Sequence, residues 1–403
     1  MKSNKMIFSL LLFIALIQGN TINAQFKIVG YIPNWVNLNT FSDNFDYTRV
    51  THLNIAFKDP NSSGDLPALS SGELYLINAA HANGVKVLLS LCGGGSSTNP
   101  SIQTIYFNLI NSTNVSTFAS KLTQYTISNN LDGLDLDMEG SMINSDYGNF
   151  VQVLADSLHP HSKVLSAALS EGYGGSNVPS STFNYLDWIN IMAYDACGPT
   201  WGTPGQHSSM QFATDALTYW KGRGLAKSKA MLGVPFYGYG FGASAESYAI
   251  SFNYIANNYP DDIYDDEAAN TIYYNGIATI IEKTDLAKSS GGGIMIWDLS
   301  LDVAGENSLL GWIRSTAGSA VTATIEGTDN PALTIYPNPS NSSFTLQGMD
   351  MTQSKIEVYN TLGEKMTPLI NGNSIDLSGN PKGIYNLHIV KENKISIKKL
   401  ILQ

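Results

Sequence analysis

Between residues 25 and 318 the chain alternates short apolar runs with longer polar stretches whose apolar positions recur at helical spacing. Eight runs rich in Val, Ile, Leu and aromatic residues read as strands: Phe26 to Pro33, His52 to Phe57, Lys86 to Leu91, Gly133 to Glu139, Val164 to Leu169, Trp188 to Tyr194, Ala230 to Phe236 and Gly293 to Leu299. Helices are expected between them. Ser71 to Ala82 stops at Gly84, Ser145 to Leu158 stops before Pro160, and Gln211 to Lys221 precedes Gly222 and Gly224. Repeated strand–helix units predict an α/β fold, and eight of them over about 300 residues predict a closed (β/α)8 TIM barrel. A doubly wound open sheet is the alternative. Against it, no glycine-rich phosphate loop follows the first strand, where Gly30-Tyr31-Ile32-Pro33 leads to Trp35. In a barrel, functional side chains belong at the C-terminal ends of the strands.

Other stretches break the alternation. In residues 1–24, Lys2 and Lys5 precede the apolar run Met6 to Ile17 and a polar stretch ending in Ala24, the layout of a secretory signal peptide. That run is about 12 residues, too short to span a bilayer, and no other segment approaches the length, so no transmembrane segment is expected. The gap between the seventh and eighth runs, about 55 residues, calls for a small insertion. Within it, Thr271 to Gly276 reads as a strand or hairpin turning at Asn275-Gly276. Residues 319–331 are polar and Thr-rich, a linker. Residues 332–403 alternate short strands with turns at Gly363, Asn371-Gly372 and Lys382-Gly383, a small β-sandwich joined to the catalytic-sized domain at 25–318.

Composition agrees with two unlike domains. With 43% hydrophobic and 14% charged residues, the 403-residue chain can bury a large core. Its net charge is −11, or −13 without Lys2 and Lys5; residues 331–403, with seven lysines and five acidic residues, carry +2, which leaves −15 on residues 25–330. Such a surface repels phosphate backbones, so nucleic acid is excluded as a partner. Cys92 and Cys197 are the only cysteines. At most one disulfide can form, and two free thiols are the simpler expectation.

The run Leu131-Asp132-Gly133-Leu134-Asp135-Leu136-Asp137-Met138-Glu139-Gly140 departs from what a buried parallel strand should be. Leu134, Leu136 and Met138 satisfy one face, so Asp135, Asp137 and Glu139 occupy the other and point into the barrel. A lone carboxylate in an apolar interior costs several kcal/mol, so this row must share protons, bind a cation or meet polar ligands. Neighbours along it stand about 6.6 Å apart, close enough to couple their titrations and keep one protonated near neutral pH. Glu139, nearest the mouth, is then placed to act as a general acid, with Asp137 just below it. Two neighbours on one strand cannot flank a sugar from opposite sides, which leaves room for a nucleophile supplied by the substrate itself. Asp132 has the opposite parity and is expected to anchor the strand. A divalent-metal site is the competing reading, but the sequence offers no second cluster of oxygen ligands, and no cofactor is called for.

Asp132-x-x-Asp135-x-Asp137-x-Glu139 resembles the D-x-x-D-x-D-x-E signature of family 18 glycoside hydrolases, the chitinases and their relatives. The resemblance extends over residues 26 to 315 through Tyr31, Phe57, Met192-x-Tyr194-Asp195 and Gly293-Ile-Met-Ile-Trp297-Asp298, and Tyr274-Asn275-Gly276-Ile277 is similar to bacterial chitinases. It implies retaining, substrate-assisted hydrolysis of N-acetylglucosamine polymers such as chitin. Glu139 would protonate the glycosidic oxygen, Asp137 would orient the acetamido group, Asp135 would share a proton with Asp137, and Tyr194 would bond the acetamido oxygen. Tyr31, Phe57, Met192, Asp195 and Trp297 would contact the sugar, with Trp297 as its floor. Among aromatics after strands one, six and seven, Trp35, Trp201, Tyr237 and Tyr239 are candidate sugar platforms or packing residues. Trp220 and Trp312 are expected in the core. Two departures stand out: Cys92 replaces the first glycine of S-x-G-G in Ser90-Leu91-Cys92-Gly93, and Met138 replaces an aromatic. The short insertion implies a shallow cleft and endo-type cutting.

The tail resembles the type A C-terminal sorting domain of type IX secretion in Tyr336-Pro-Asn-Pro339, Val358-Tyr-Asn360, Leu362-Gly363-Glu364, Gly383-Ile-Tyr385 and Lys398-Lys-Leu-Ile-Leu402. That implies the secretion machinery as a partner and release or attachment outside the cell; a carbohydrate-binding module is the rival reading. For the barrel, an endo-β-N-acetylglucosaminidase acting on N-glycans and a non-hydrolytic, lectin-like barrel are the alternatives to a chitinase.

Overall fold

The eight apolar runs form a closed parallel barrel in the computed structural model, which describes residues 26–244, 249–318, 334–348, 354–360, 365–391 and 394–402. Seven strands come first: β1 (Lys27–Pro33), β2 (His52–Lys58), β3 (Lys86–Cys92), β4 (Gly133–Asp137), β5 (Val164–Leu169), β6 (Trp188–Ile191) and β7 (Ala230–Pro235). An insertion follows with β8 (Tyr237–Gly240), β9 (Ile250–Ser251), β10 (Glu267–Ala268) and β11 (Ile272–Tyr273), and β12 (Gly293–Trp297) closes the barrel against β1 and β7. Around the barrel the strand order is β1-β12-β7-β6-β5-β4-β3-β2. The segments expected as a signal peptide and linker, and the turn at Gly363, lie outside the described residues.

Strand parity divides two cores. Leu134, Leu136 and Met138 join the large cluster between the barrel and its helices, while Val29, Tyr31, Ala56, Leu88, Ala168, Trp188, Met231 and Met295 fill the barrel's interior. Helices over Ser71–Ala82, Tyr147–Leu158 and Met210–Gly222 stand where periodicity placed them. The first begins with a capping box in which Ser70 Oγ accepts from Glu73 N–H while the Glu73 carboxylate accepts from Ser70 N–H, an arrangement that stabilises a helix by about 1 kcal/mol. Trp220 and Trp312 are buried on their helices. β4 and β6 end short of their apolar runs, at Asp137 and Ile191, because the backbone leaves the ladder where it forms the mouth.

The insertion corrects one expectation. Its hairpin turns at Ala269-Asn270, both in the left-handed region (φ +52° and +57°), and joins β10 to β11. Asn275 and Gly276 are spent otherwise: Asn275 is buried with its Nδ2 donating to Ser208 O, and Gly276 caps the helix Ile277–Ser290. A local Asn-Gly turn signal is overridden here by tertiary contacts.

The C-terminal region is a sandwich of two antiparallel four-stranded sheets. Its strands are β13 (Thr334–Tyr336), β14 (Ser343–Gln347), β15 (Lys355–Asn360), β16 (Lys365–Met366), β17 (Leu369–Asn371), β18 (Ser374–Asp376), β19 (Gly383–Lys391) and β20 (Lys394–Leu402). Phe344, Leu346, Val358, Ile375, Leu387 and Leu400 lead its own core, distinct from that of the barrel. β17 and β18 turn at Asn371-Gly372 as expected.

Candidate active site

A cavity of about 610 Å³ opens at the C-terminal ends of the barrel strands. Its wall holds Tyr31, Phe57, Asp137, Glu139, Met192, Tyr194, Asp195 and Trp297, side chains drawn from five barrel strands or the turns just after them, together with Asn34, Trp35, Asp59 and Cys92. Trp201 and Tyr237, also expected at the substrate, lie outside this lining.

Asp135, Asp137 and Glu139 meet three different surroundings along one strand. Asp135 sits deepest and accepts four hydrogen bonds: Tyr31 Oη and Ser90 Oγ on Oδ2 at 2.7 Å each, Ser166 Oγ and Asn190 Nδ2 on Oδ1 at 2.6 and 3.1 Å. The register explains two of them, since Ser90 and Ser166 are the β3 and β5 neighbours of Asp135. Burial raises its proton affinity and the four donors oppose that rise, leaving it above the usual carboxylate range. Asp137 is also buried, yet among the described residues its Oδ1 has no hydrogen-bond partner. Burial first, then the charges of Glu139 and Asp135, push Asp137 well above the usual carboxylate range. No hydrogen bond joins Asp135 to Asp137 among the described residues. Asp135, held by these four donors, lies one inward position below Asp137, and its charge is one of the causes that raise that neighbour.

Glu139 follows β4, with its backbone N–H donating to Ser97 Oγ at 3.0 Å. Burial and the nearby Asp195 charge raise its carboxyl to about 7. The space beside it depends on the glycines after β3: a Cβ at Gly94 would stand 2.9 Å from Glu139 Oε1, and one at Gly93 (φ +84°) 2.6 Å from the Phe57 ring. Cys92, in place of a glycine, does adopt φ +77°, and its buried Sγ lies 3.3 Å from Ser97 Oγ. Burial raises this thiol strongly, so it is not a nucleophile; Cys92 and Cys197 are both free.

The aromatics of the cavity form one group. Trp297 packs edge-on to Tyr31 at 5.6 Å and stacks with Phe57 at 5.5 Å, and Trp35, 66% exposed, tilts over Phe57 at 6.4 Å. Among the described residues, Tyr194 Oη donates only to the Met295 sulfur, 3.7 Å away, a weak acceptor that leaves the hydroxyl available. Tyr237 and Tyr239 are buried, and their hydroxyls donate to Asp195 Oδ1 at 2.6 and 3.0 Å. Trp201 packs on Tyr239 and donates from Nε1 to Asp195 O. These three therefore support Asp195 where sequence alone allowed sugar platforms. At the opposite end of β4, Asp132 accepts from Val87 N, His81 Nε2 and Lys86 Nζ, the anchor expected of it.

Residues 27–302 match the family described as glycosyl hydrolases family 18, and residues 334–403 match the secretion system C-terminal sorting domain. A class V chitinase of Arabidopsis thaliana is 30% identical over 336 residues, covering 69% of this chain and 86% of the relative. The crystal structure of a family 18 chitinase from the chitin utilization locus of Flavobacterium johnsoniae superposes with a TM-score of 0.66 at 32% identity, covering 73% of this chain and 94% of that one. A chitinase-like agglutinin of Robinia pseudoacacia superposes at 0.60 with 22% identity over 72% of this chain and 99% of its own, a likeness of fold alone.

Proposed function

Since the chain belongs to the glycosyl hydrolases of family 18, we propose that it is an endo-acting chitinase, hydrolysing the β-1,4 bonds of N-acetylglucosamine polymers with retention and with the substrate's acetamido group as nucleophile. The observation that carries this reading is the orphaned Oδ1 of buried Asp137, the last residue of β4 and two positions before an acid poised near neutrality. A buried polar atom without a partner is costly unless something bonds it in the working state, and an acetamido N–H supplies the missing donor.

In the reaction, Glu139 gives its proton to the glycosidic oxygen as the acetamido carbonyl attacks C1 of the same sugar. Asp137 accepts the acetamido N–H and steadies the positive charge of the cyclic oxazolinium ion. As Glu139 becomes anionic, the proton held on Asp137 can be shared with it, which offsets the repulsion between the two. Tyr194 Oη donates to the acetamido oxygen, fixing its approach, while Trp297, framed by Tyr31 and Phe57, supports the apolar face of the sugar. Glu139, now a base, takes a proton from the water that opens the ring. No cofactor is needed.

The sorting domain supports export by type IX secretion. We place the mature barrel outside the cell, released or held at the outer surface, with the tail removed in passage.

Incubation with colloidal chitin and, separately, with a high-mannose glycoprotein, followed by mass analysis, tests the substrate. Chito-oligosaccharides from chitin are expected. Glycans released from the glycoprotein, with chitin untouched, would move the assignment to an N-glycan endoglycosidase; binding to chitin without any product would make the barrel a lectin.

A further inference from the structure

We propose that His207 is a positioning residue: it fixes the turn at Asp195 and so keeps that carboxylate facing the cavity it shares with Glu139. Asp195 is held in the left-handed region at φ +64°, a conformation that a non-glycine residue adopts at some cost and keeps only when its surroundings enforce it. His207 supplies that enforcement from two directions. Its Nδ1 accepts the Asp195 N–H at 3.3 Å, and its own carbonyl accepts the N–H of Ala196 at 3.0 Å.

The same ring organises what grips the carboxylate. His207 is fully buried, 5.1 Å from the Tyr237 ring and 4.9 Å from the Tyr239 ring, the two tyrosines whose hydroxyls donate to Asp195 Oδ1. Its Nε2 lies 3.2 Å from Tyr237 O. With Nδ1 accepting from a backbone N–H, the hydrogen-bond pattern assigns the proton to Nε2, which donates to that carbonyl. One imidazole therefore ties the Asp195 backbone to β8.

His207 is itself clamped from behind. The next residue, Ser208, donates from Oγ to Ala193 O, and Lys283 Nζ donates to Ser208 O, Ser208 Oγ and Asn275 Oδ1 at 2.6 to 2.7 Å. Lys283 is wholly buried, and these three acceptors, together with the more distant Asp266 charge, offset the cost of that burial. The helix Ile277–Ser290 is thus linked through Lys283, Ser208 and His207 to the turn at Asp195. His207 is absent from the cavity wall, so its influence on Glu139 has to pass through Asp195.

The proposal rests on Glu139 being the acid of the proposed chitinase, but its test does not need turnover. The Glu139 carboxyl is titrated by ¹³C NMR in the substrate-free full chain, with Glu139→Gln identifying its signal, in the parent and in His207→Asn, His207→Gln and His207→Ala. Asn can place an acceptor where Nδ1 stands, whereas Gln keeps only the reach of Nε2. We expect the Glu139 midpoint in His207→Asn to stay within about 0.2 pH units of the parent, and in His207→Gln and His207→Ala to fall by about 0.5 to 1 unit as Asp195 loosens. The basic limb of the hydrolysis profile should move by the same amounts. A Glu139 midpoint unchanged in His207→Gln, or shifted equally in His207→Asn and His207→Gln, would overturn the proposal; the Asn–Gln contrast decides even if His207→Ala does not fold. A parent inactive on every N-acetylglucosamine substrate would sink the chitinase reading and leave the titration result standing.

Discussion

The two ends of β4 treat their carboxyl groups in opposite ways. At the entry, Asp132 is bonded by a backbone N–H, a histidine and a lysine, and despite the burial that opposes it those bonds draw it below its usual range. At the exit, Asp137 has an oxygen with no partner and Glu139 is raised to about 7. The same residue types, a few positions apart on one strand, are satisfied where the barrel needs fastening and left wanting where it meets a ligand. Stability and chemistry have been separated along a single element, as the top and bottom of such barrels generally are.

If that separation holds, changes at the exit cost rate and changes at the entry cost stability. The largest effect is expected from Glu139→Gln: a loss of about 10³ to 10⁴ in kcat with oligosaccharide binding kept, read by steady-state kinetics and calorimetry. The same variant sharpens the comparison through stability. Glu139 is raised from 4.5 to about 7 in the folded chain, so ionising it opposes folding at high pH; the variant should unfold at higher temperature than the parent above pH 7, with the gain gone below pH 4.5. Parent activity should fall as pH rises through about 7, where the acid loses its proton. Asp137→Asn comes next, with a loss of about 10² to 10³ in kcat, because the amide offers less charge to the oxazolinium ion.

Asp135→Asn lies between the two ends in place and in effect. An amide cannot accept from Tyr31, Ser90, Ser166 and Asn190 together, so we expect about 1 to 3 kcal/mol of lost stability by denaturant unfolding and roughly tenfold lower kcat. Smallest in rate is Asp132→Ala, for which kcat should not change while stability falls by about 1 kcal/mol at neutral pH. Since its folded affinity for a proton is depressed, that contribution is present above about pH 4 and disappears as the pH drops through the folded value. An Asp132→Ala variant with intact stability but poor turnover would break the comparison outright.

Much of this was legible in the chain because the relevant forces are local. Apolar runs marked all eight barrel strands, and strict alternation in Leu134 to Glu139 assigned the inward face before any coordinates. What was hidden depends on residues far apart in sequence. The role of Asp135 required Tyr31 and Asn190, 104 and 55 positions away. Tyr237 and Tyr239, aromatics just after the seventh apolar run, were open as sugar platforms or packing residues, and only the structure shows β8 turning their hydroxyls onto Asp195. His207 and Lys283 carry no local signal at all: a lone histidine in a loop and a lysine in a helix become informative only once their buried partners are known. The Asn275-Gly276 misreading has the same origin, since the side chain of Asn275 answers to Ser208 and Lys283 rather than to its neighbours.

The sandwich over residues 334–402 gathers Phe344, Val358, Ile375, Leu387 and Leu400 around a centre that borrows no member of the barrel's core. A unit closed on itself in this way suits an address label rather than a limb, since taking it away removes no side chain from the barrel's core.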